Sequence, residues 1–222
     1  VQRLLTERQT NGSFRSLDDF IDRVIIGIEQ LSILIRIGAF RFTGKAKTDL
    51  LWQAIFKLKA SQNRTINPLL FRPKHRKFEL PQFEYNWLDD AYDQMELLGF
   101  PLHDYFSLIS EEPKSNLTAS DMPDYTGKPM LLYGILVNTR FNTTKHKQHM
   151  RLSTFIDREG RYFDAVHFTD VVDKYPLHGR GVYACYGKVT EEFGHFSMIV
   201  IWSKKMPLKP DPRSPDEPTF SD

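Results

Sequence analysis

Cysteine is almost missing from this sequence. One residue, Cys185, in 222 excludes a disulfide framework and a thiolate zinc site, because each needs several thiols. A reducing, cytoplasmic setting is therefore expected. Long apolar runs are missing too. None approaches the ~18–20 residues of a membrane span, so no membrane partner is expected. No N-terminal basic, apolar and small-residue series reads as a signal peptide. Gly-rich phosphate loops, a nucleophile elbow and a strand-borne Asp-x-Asp pair are all lacking. The adjacent acids Asp18/Asp19 and Asp89/Asp90 fall early in expected helices, where carboxylates favour the helix dipole and solvent. No catalytic residue is assigned. His146 and His149 have an i, i+3 spacing but no second ligand pair, so no metal site is expected.

What is present is ordinary globular material. Hydrophobic residues make up 41% and charged residues 26%, which rules out a wholly disordered chain. The net charge of +2 hides a segregation. Residues 1–77 carry net +9, residues 78–127 net −10 and residues 128–222 net +3. Three blocks of different sign suggest three functional units. The basic block fits a polyanion, since neutralising phosphates releases counterions; a solvated basic surface is the plainer alternative. The chain opens at Val1 without methionine, which suggests a piece of a longer protein.

The first block reads as helical. Ser16 followed by Asp19 resembles a capping box, and Leu17, Phe20, Ile21 and Val24 follow at helical spacing. A second helix spans about 28–37 and ends at Gly38 in the manner of a C′ glycine. A link over 39–44 leads to a third helix of about 45–59. Residues 61–83 are Asn-, Pro-, Lys- and Arg-rich and aperiodic, a linker. An acidic helix of about 86–98 follows, closed by Gly99, and 107–127 is irregular. From Lys128 the pattern turns to strands, over about 130–140, 151–157, 162–168, 181–190 and 195–203, with a short helix at 169–175. Five strands with a helix between the third and fourth is the order of an oligonucleotide-binding (OB) barrel; a small β-sandwich competes. The tail from Pro207, with five prolines, is expected to be disordered. The fold class is thus α+β and multidomain. A helical module covers 1–60, a linker 61–83, an acidic helix with its connector 84–127, an OB-fold barrel 128–206 and a tail 207–222.

Two stretches carry candidate binding chemistry. Helix, glycine-bearing link and basic helix is the geometry of a helix-hairpin-helix unit. There backbone N–H groups and a helix N-terminus face a DNA phosphate. The candidates are Gly38, Ala39, Phe42 and Gly44, with Arg41, Lys45 and Lys47 nearby. An ordinary αα-corner would also place glycine at its turn. The second stretch, 139–151, holds Arg140, Lys145, Lys147 and Arg151 and no acid, with Phe141, His146 and His149 among them. As the loop between the first two strands of an OB barrel it would track phosphates and stack an aromatic on a base. A solvated hairpin tip is the alternative.

Three segments together resemble the C-terminal part of the alpha subunit of bacterial DNA polymerase III, a family C replicative polymerase. They are "ERQTNGSFRSLDDFIDRV" (7–24) leading to "LIRIGAFRFTGKAKTDLLWQA" (34–54), "DQMELLGFPLHDYF" (93–106), and "LLYGILVNTRFNTTKHKQHMRLSTFIDREGRYFDAVHF" (131–168). The first is similar to the family's tandem helix-hairpin-helix segment, the second to its helix before the OB domain, the third to the OB domain itself. The resemblance spans about 1–206, and its specificity lies in the order and spacing of the segments. Arg41 stands where many members have Asp. Pro101-Leu102-His103-Asp104 replaces a Ser-x-His-Pro turn.

The resemblance implies a DNA-binding, clamp-tethering portion of a DNA-directed DNA polymerase. Its catalytic, Mg2+-binding aspartates would lie upstream, and no cofactor is expected in this portion. Duplex backbone, single-stranded template, a sliding clamp and other replisome subunits would be its partners. The resemblance also implies a clamp-binding peptide between the two modules, usually Gln-Leu-x-Leu-Phe. Here Asn67, Pro68, Leu69, Leu70 and Phe71 occupy that place. An extended peptide offering two apolar anchors suits such a pocket; packing of Leu69, Leu70 and Phe71 on their own domain is the alternative. Two other functions stay open: a non-catalytic OB-fold single-stranded-DNA-binding protein of repair or recombination, and a two-domain interaction scaffold.

Overall fold

A computed structural model describes residues 2–64, 85–143 and 149–214, with side chains omitted from 60 to 64. The chain divides into two compact units, residues 1–102 and 103–222. Among the described residues no helix is long and apolar enough to cross a membrane.

The first unit holds α1 (Gln2–Asn11), α2 (Leu17–Arg23), α3 (Ile28–Arg36), α4 (Lys47–Arg64) and α5 (Trp87–Leu98). Ser16 caps α2 as expected, its side chain accepting from the Asp19 N–H. The acid departs from the capping box, because Asp19 Oδ2 accepts from Arg15 N and not from the cap residue. Leu17, Phe20, Leu31, Ile35, Phe40, Leu50 and Ala54 form the core. Phe20 meets Phe14 and Phe40 edge-on, at 4.9 and 5.1 Å between ring centroids. Such pairs add about 0.5–1.5 kcal/mol beyond area burial.

The acidic helix does not belong with a separate connector. α5 lies in the first unit and buries Asp90, Ala91, Asp93 and Gln94. The reading of Asp89/Asp90 as solvated first-turn acids therefore holds only in part: Asp90 is 7% exposed. The three charge blocks likewise do not map onto three units. Part of the −10 block is the counter-charge of the +9 block.

The second unit is a closed barrel of β1 (Pro129–Thr143), β2 (His149–Ile156), β3 (Tyr162–Phe168), β4 (Val182–Glu192) and β5 (His195–Lys205), with α6 (Thr169–Lys174) between β3 and β4. The strand order is β1-β2-β3-β5-β4, closed by β1 against β4, and β3 pairs parallel with β5. This is OB-type architecture. The β-sandwich alternative falls, because one sheet closes on itself.

Met130, Leu132, Leu136, Phe155, Phe163, Val189, Met198 and Val200 fill the barrel, joined by Met122 from a 3₁₀ turn at Ala119–Tyr125. Asp157 ties that turn to the β2–β3 turn. Its Oδ1 accepts from the N–H groups of Glu159 and Arg161, and its Oδ2 from Ala119 N, at 2.8–2.9 Å. Gly187, at an irregularity of β4, lies so close to β5 that a Cβ would stand 2.2 Å from the Ile199 carbonyl oxygen.

The tail expected to be disordered from Pro207 begins ordered. Ser110 N donates to Pro207 O and Lys209 N to Leu108 O. Leu208 packs with Ile109, Tyr133, Val182, Ala184 and Met206 outside the barrel. Pro207 enters this pairing as an acceptor, so its missing N–H costs nothing.

Candidate nucleic-acid interface

The hairpin turn of the first unit follows α3. Gly38 adopts φ +84°, a left-handed conformation that glycine reaches without penalty. Gly38 N donates to Ile35 O at 3.0 Å and Ala39 N to Leu34 O at 2.9 Å, the Schellman pattern that closes a helix. Gly44 N donates to Arg41 O at 3.1 Å. The N–H groups of Gly38, Ala39 and Gly44, expected to face a phosphate, thus each have an acceptor inside the turn. α4 begins at Lys47, two residues later than expected, after a 3₁₀ turn at Arg41–Thr43.

The cations around this turn divide into two groups. Arg36 donates to Asp93 Oδ1 through Nε (2.9 Å) and Nη2 (2.6 Å), and to Glu96. Lys47 binds Asp93 and stands 3.1 Å from Asp90 Oδ1. Arg41 reaches Asp90 at 3.5 Å with its side chain 49% exposed. Burial alone would raise the Asp93 carboxyl pKa, but the hydrogen bonds from Lys47 and Arg36 outweigh it and hold the group below the ordinary value. Lys47, grouped in the sequence with Lys45 as a phosphate contact, is therefore engaged by α5. Lys45 is exposed, and its Nζ donates to the neutral amide oxygen of Gln53 at 2.9 Å. Lys45→Glu is expected to weaken duplex binding evenly across sequences and to reduce the salt slope by about one, as read by gel shift at several salt concentrations. Lys47→Ala should instead lower the melting temperature of the first unit.

In the barrel, the described parts of the expected 139–151 loop, 139–143 and 149–151, are strand. β1 runs on to Thr143 and pairs with β2 from His149, so Thr139 faces Ser153, Arg140 faces Leu152 and Phe141 faces Arg151. Threonine and aromatic residues suit such a two-stranded arm. Arg151 Cζ lies 4.2 Å from the Phe141 ring centroid, a cation–π pair, while Phe141 stays 67% exposed. Arg140 points to the other face of the arm by strand alternation. The expected cations are thus split, with Arg151 beside the aromatic and Arg140 on the outer sheet face. Lys145, His146 and Lys147 lie outside the described residues, as do Asn67, Leu69, Leu70 and Phe71.

The next residue in the Phe141–Arg151 row is His167 on β3, which the sequence reading passed over. It is 1% exposed, and neither ring nitrogen has a hydrogen-bond partner among the described residues. Burial, and then the charge on Arg151, push its pKa down to about 4. The outer face also shows aromatics that no sequence motif singled out: Tyr162, Phe168 and, at the β4–β5 turn, Phe193. Strand alternation could have found Tyr162 and Phe168 as outward positions. Among the described residues no cluster of three or more His, Cys, Asp or Glu could hold a metal ion.

Residues 1–50 match the sequence family described as helix-hairpin-helix motif. No curated protein matches the chain. Among solved structures, PriB from Ralstonia solanacearum is similar over 35% of this chain and 95% of its own, with 12% identity and a TM-score of 0.29, a likeness too slight to bear on function. The helix-hairpin-helix motif in the N-terminal region and the closed OB-like barrel after it together indicate nucleic-acid binding.

Proposed function

We propose that this chain is the DNA-binding and clamp-tethering portion of a cytoplasmic, bacterial-type replicative DNA polymerase. Catalytic, Mg2+-binding residues would be carried elsewhere in the intact protein. The observation that carries the reading is the succession of modules, a helix-hairpin-helix motif at 1–50 followed by a barrel with OB strand order. It agrees in order with the polymerase segments the sequence resembles. The helical unit would hold the duplex backbone through charge. The barrel would take single-stranded template along its β1–β2 arm, where Phe141 would stack on a base and Arg151 and Arg140 would meet phosphate. The Asn67–Phe71 peptide would dock on the sliding clamp.

Clamp binding separates this reading from a repair or recombination protein. A purified sliding clamp titrated with the chain should bind at roughly micromolar affinity, near −8 kcal/mol. The double change Leu70→Ala, Phe71→Ala should abolish that binding and leave DNA binding intact. Single-strand binding without any clamp contact would favour the non-catalytic alternative.

A further inference from the structure

The geometry points to Asp164 as a base-reading residue that favours guanine over thymine in a single strand crossing the outer barrel face. This rests on the reading that the barrel takes single strands. β1, β2, β3 and β5 together contain one carboxylate, and it is Asp164. An acid at this place repels phosphate, so backbone contact does not explain it. It sits in a polar row across the strands, Asn138 facing Thr154, Thr154 facing Asp164 and Asp164 facing Ser197. The row on one side is Arg140, Leu152, Val166 and Ile199; on the other side Ile156 faces Tyr162. Tyr162 and Phe168, 65% and 41% exposed, stand at the two ends of β3. Bases stacked on aromatics at the ends of the face would present their edges to the polar row between them.

The carboxylate is fixed and yet open. Thr154 Oγ1 donates to Oδ1 at 2.7 Å, and His195 Nε2 lies 3.1 Å from Oδ2. Each oxygen accepts more than one bond, and the side chain is 46% exposed. Two acceptors side by side match the adjacent N1–H and N2–H donors of guanine. Thymine offers one N–H between two carbonyl oxygens that face the carboxylate unfavourably. A two-point pair of this kind discriminates between bases by roughly tenfold or more.

Fluorescence anisotropy of the whole chain at one salt concentration tests this. The probes are a labelled oligothymidylate and the same strand with two central guanines. The wild type should bind the guanine-bearing strand roughly tenfold more tightly. Asp164→Asn, which keeps the shape but sets an amide N–H donor against one of the two guanine donors, should bring the ratio within about twofold, partly by tightening the all-thymine strand. Thr154→Val, which frees one carboxylate oxygen, should give an intermediate ratio and covers the case of a poorly folded Asn variant. Equal binding of both strands by the wild type, or an unchanged ratio in Asp164→Asn, overturns the assignment while leaving single-strand binding in place. No binding of either strand overturns both.

Discussion

Asp93→Ala is expected to destabilise the first unit by about 3 kcal/mol, because it removes the buried carboxylate that two cations share and leaves Arg36 with Glu96 and Lys47 with Asp90 as their remaining partners. The Asp93 side chain is 5% exposed, and Arg36 and Lys47 are 30% and 23% exposed. That partial access to water puts the cost at the lower end for a broken buried pair. In a unit of this size the loss corresponds to roughly 10–20 °C in melting temperature. Asp93→Asn should cost less, since the amide oxygen still accepts from Arg36. The pH dependence has a definite sign. The Asp93 pKa is held below its ordinary value of 3.8, so its contribution is complete above that value and disappears as pH falls through the lowered one. Urea melts at neutral pH and below pH 4 check both statements. An unchanged midpoint in Asp93→Ala would show that α5 is not locked to the turn.

The barrel should fail in a different window. His167 carries its proton at about pH 4 when folded, against 6.5 as its ordinary value. The unfolded chain therefore binds more protons than the folded one between these values, and stability rises with pH across the window. The contribution of this group is expected to be complete above pH 6.5 and to fall by about 3 kcal/mol as pH drops to 4. Below that the loss from this group is complete. The cause is first the burial of the ring, which disfavours its charged form, and then the charge on Arg151 beside it. His167→Phe should abolish this slope and raise stability at pH 5. Denaturant melts followed by barrel aromatic fluorescence between pH 4 and 7 measure it. A slope retained in His167→Phe would assign the acid sensitivity to another group.

The barrel was legible because its pattern is strong. Strand alternation, Gly160 in the β2–β3 turn and the short helix after β3 placed all five strands within a few residues. Helix α1 was not legible: it buries no side chain, so no apolar stripe marks it. The α5 contact was hidden for a different reason. Asp90, with Asp89, reads as a solvated acid from its place early in the helix and Asp93 carries no signal of its own; only their packing against Arg36, Arg41 and Lys47, some fifty residues away, shows Asp90 and Asp93 as buried partners. Charge counted in blocks along the chain does not reveal which charges meet. The arm at 139–151 lost its strand character to its many polar residues. Its pairing depends on cross-strand neighbours such as Phe141 and Arg151, and a single-strand reading omits these. Alternation along β3 marks His167 as inward with Phe163 and Ala165; what it does not reveal is Arg151 as the cross-strand neighbour, which only the register shows.

The central claim is that the barrel engages single strands through its β1–β2 arm. An anisotropy titration of labelled single-stranded DNA, comparing the wild type with Phe141→Ala at two salt concentrations, tests it most directly. The account predicts binding that falls steeply with salt and a loss of roughly 1–3 kcal/mol in Phe141→Ala at both concentrations, with the fold unchanged. Equal affinity of the two proteins, or no binding by the wild type at low salt, would contradict it.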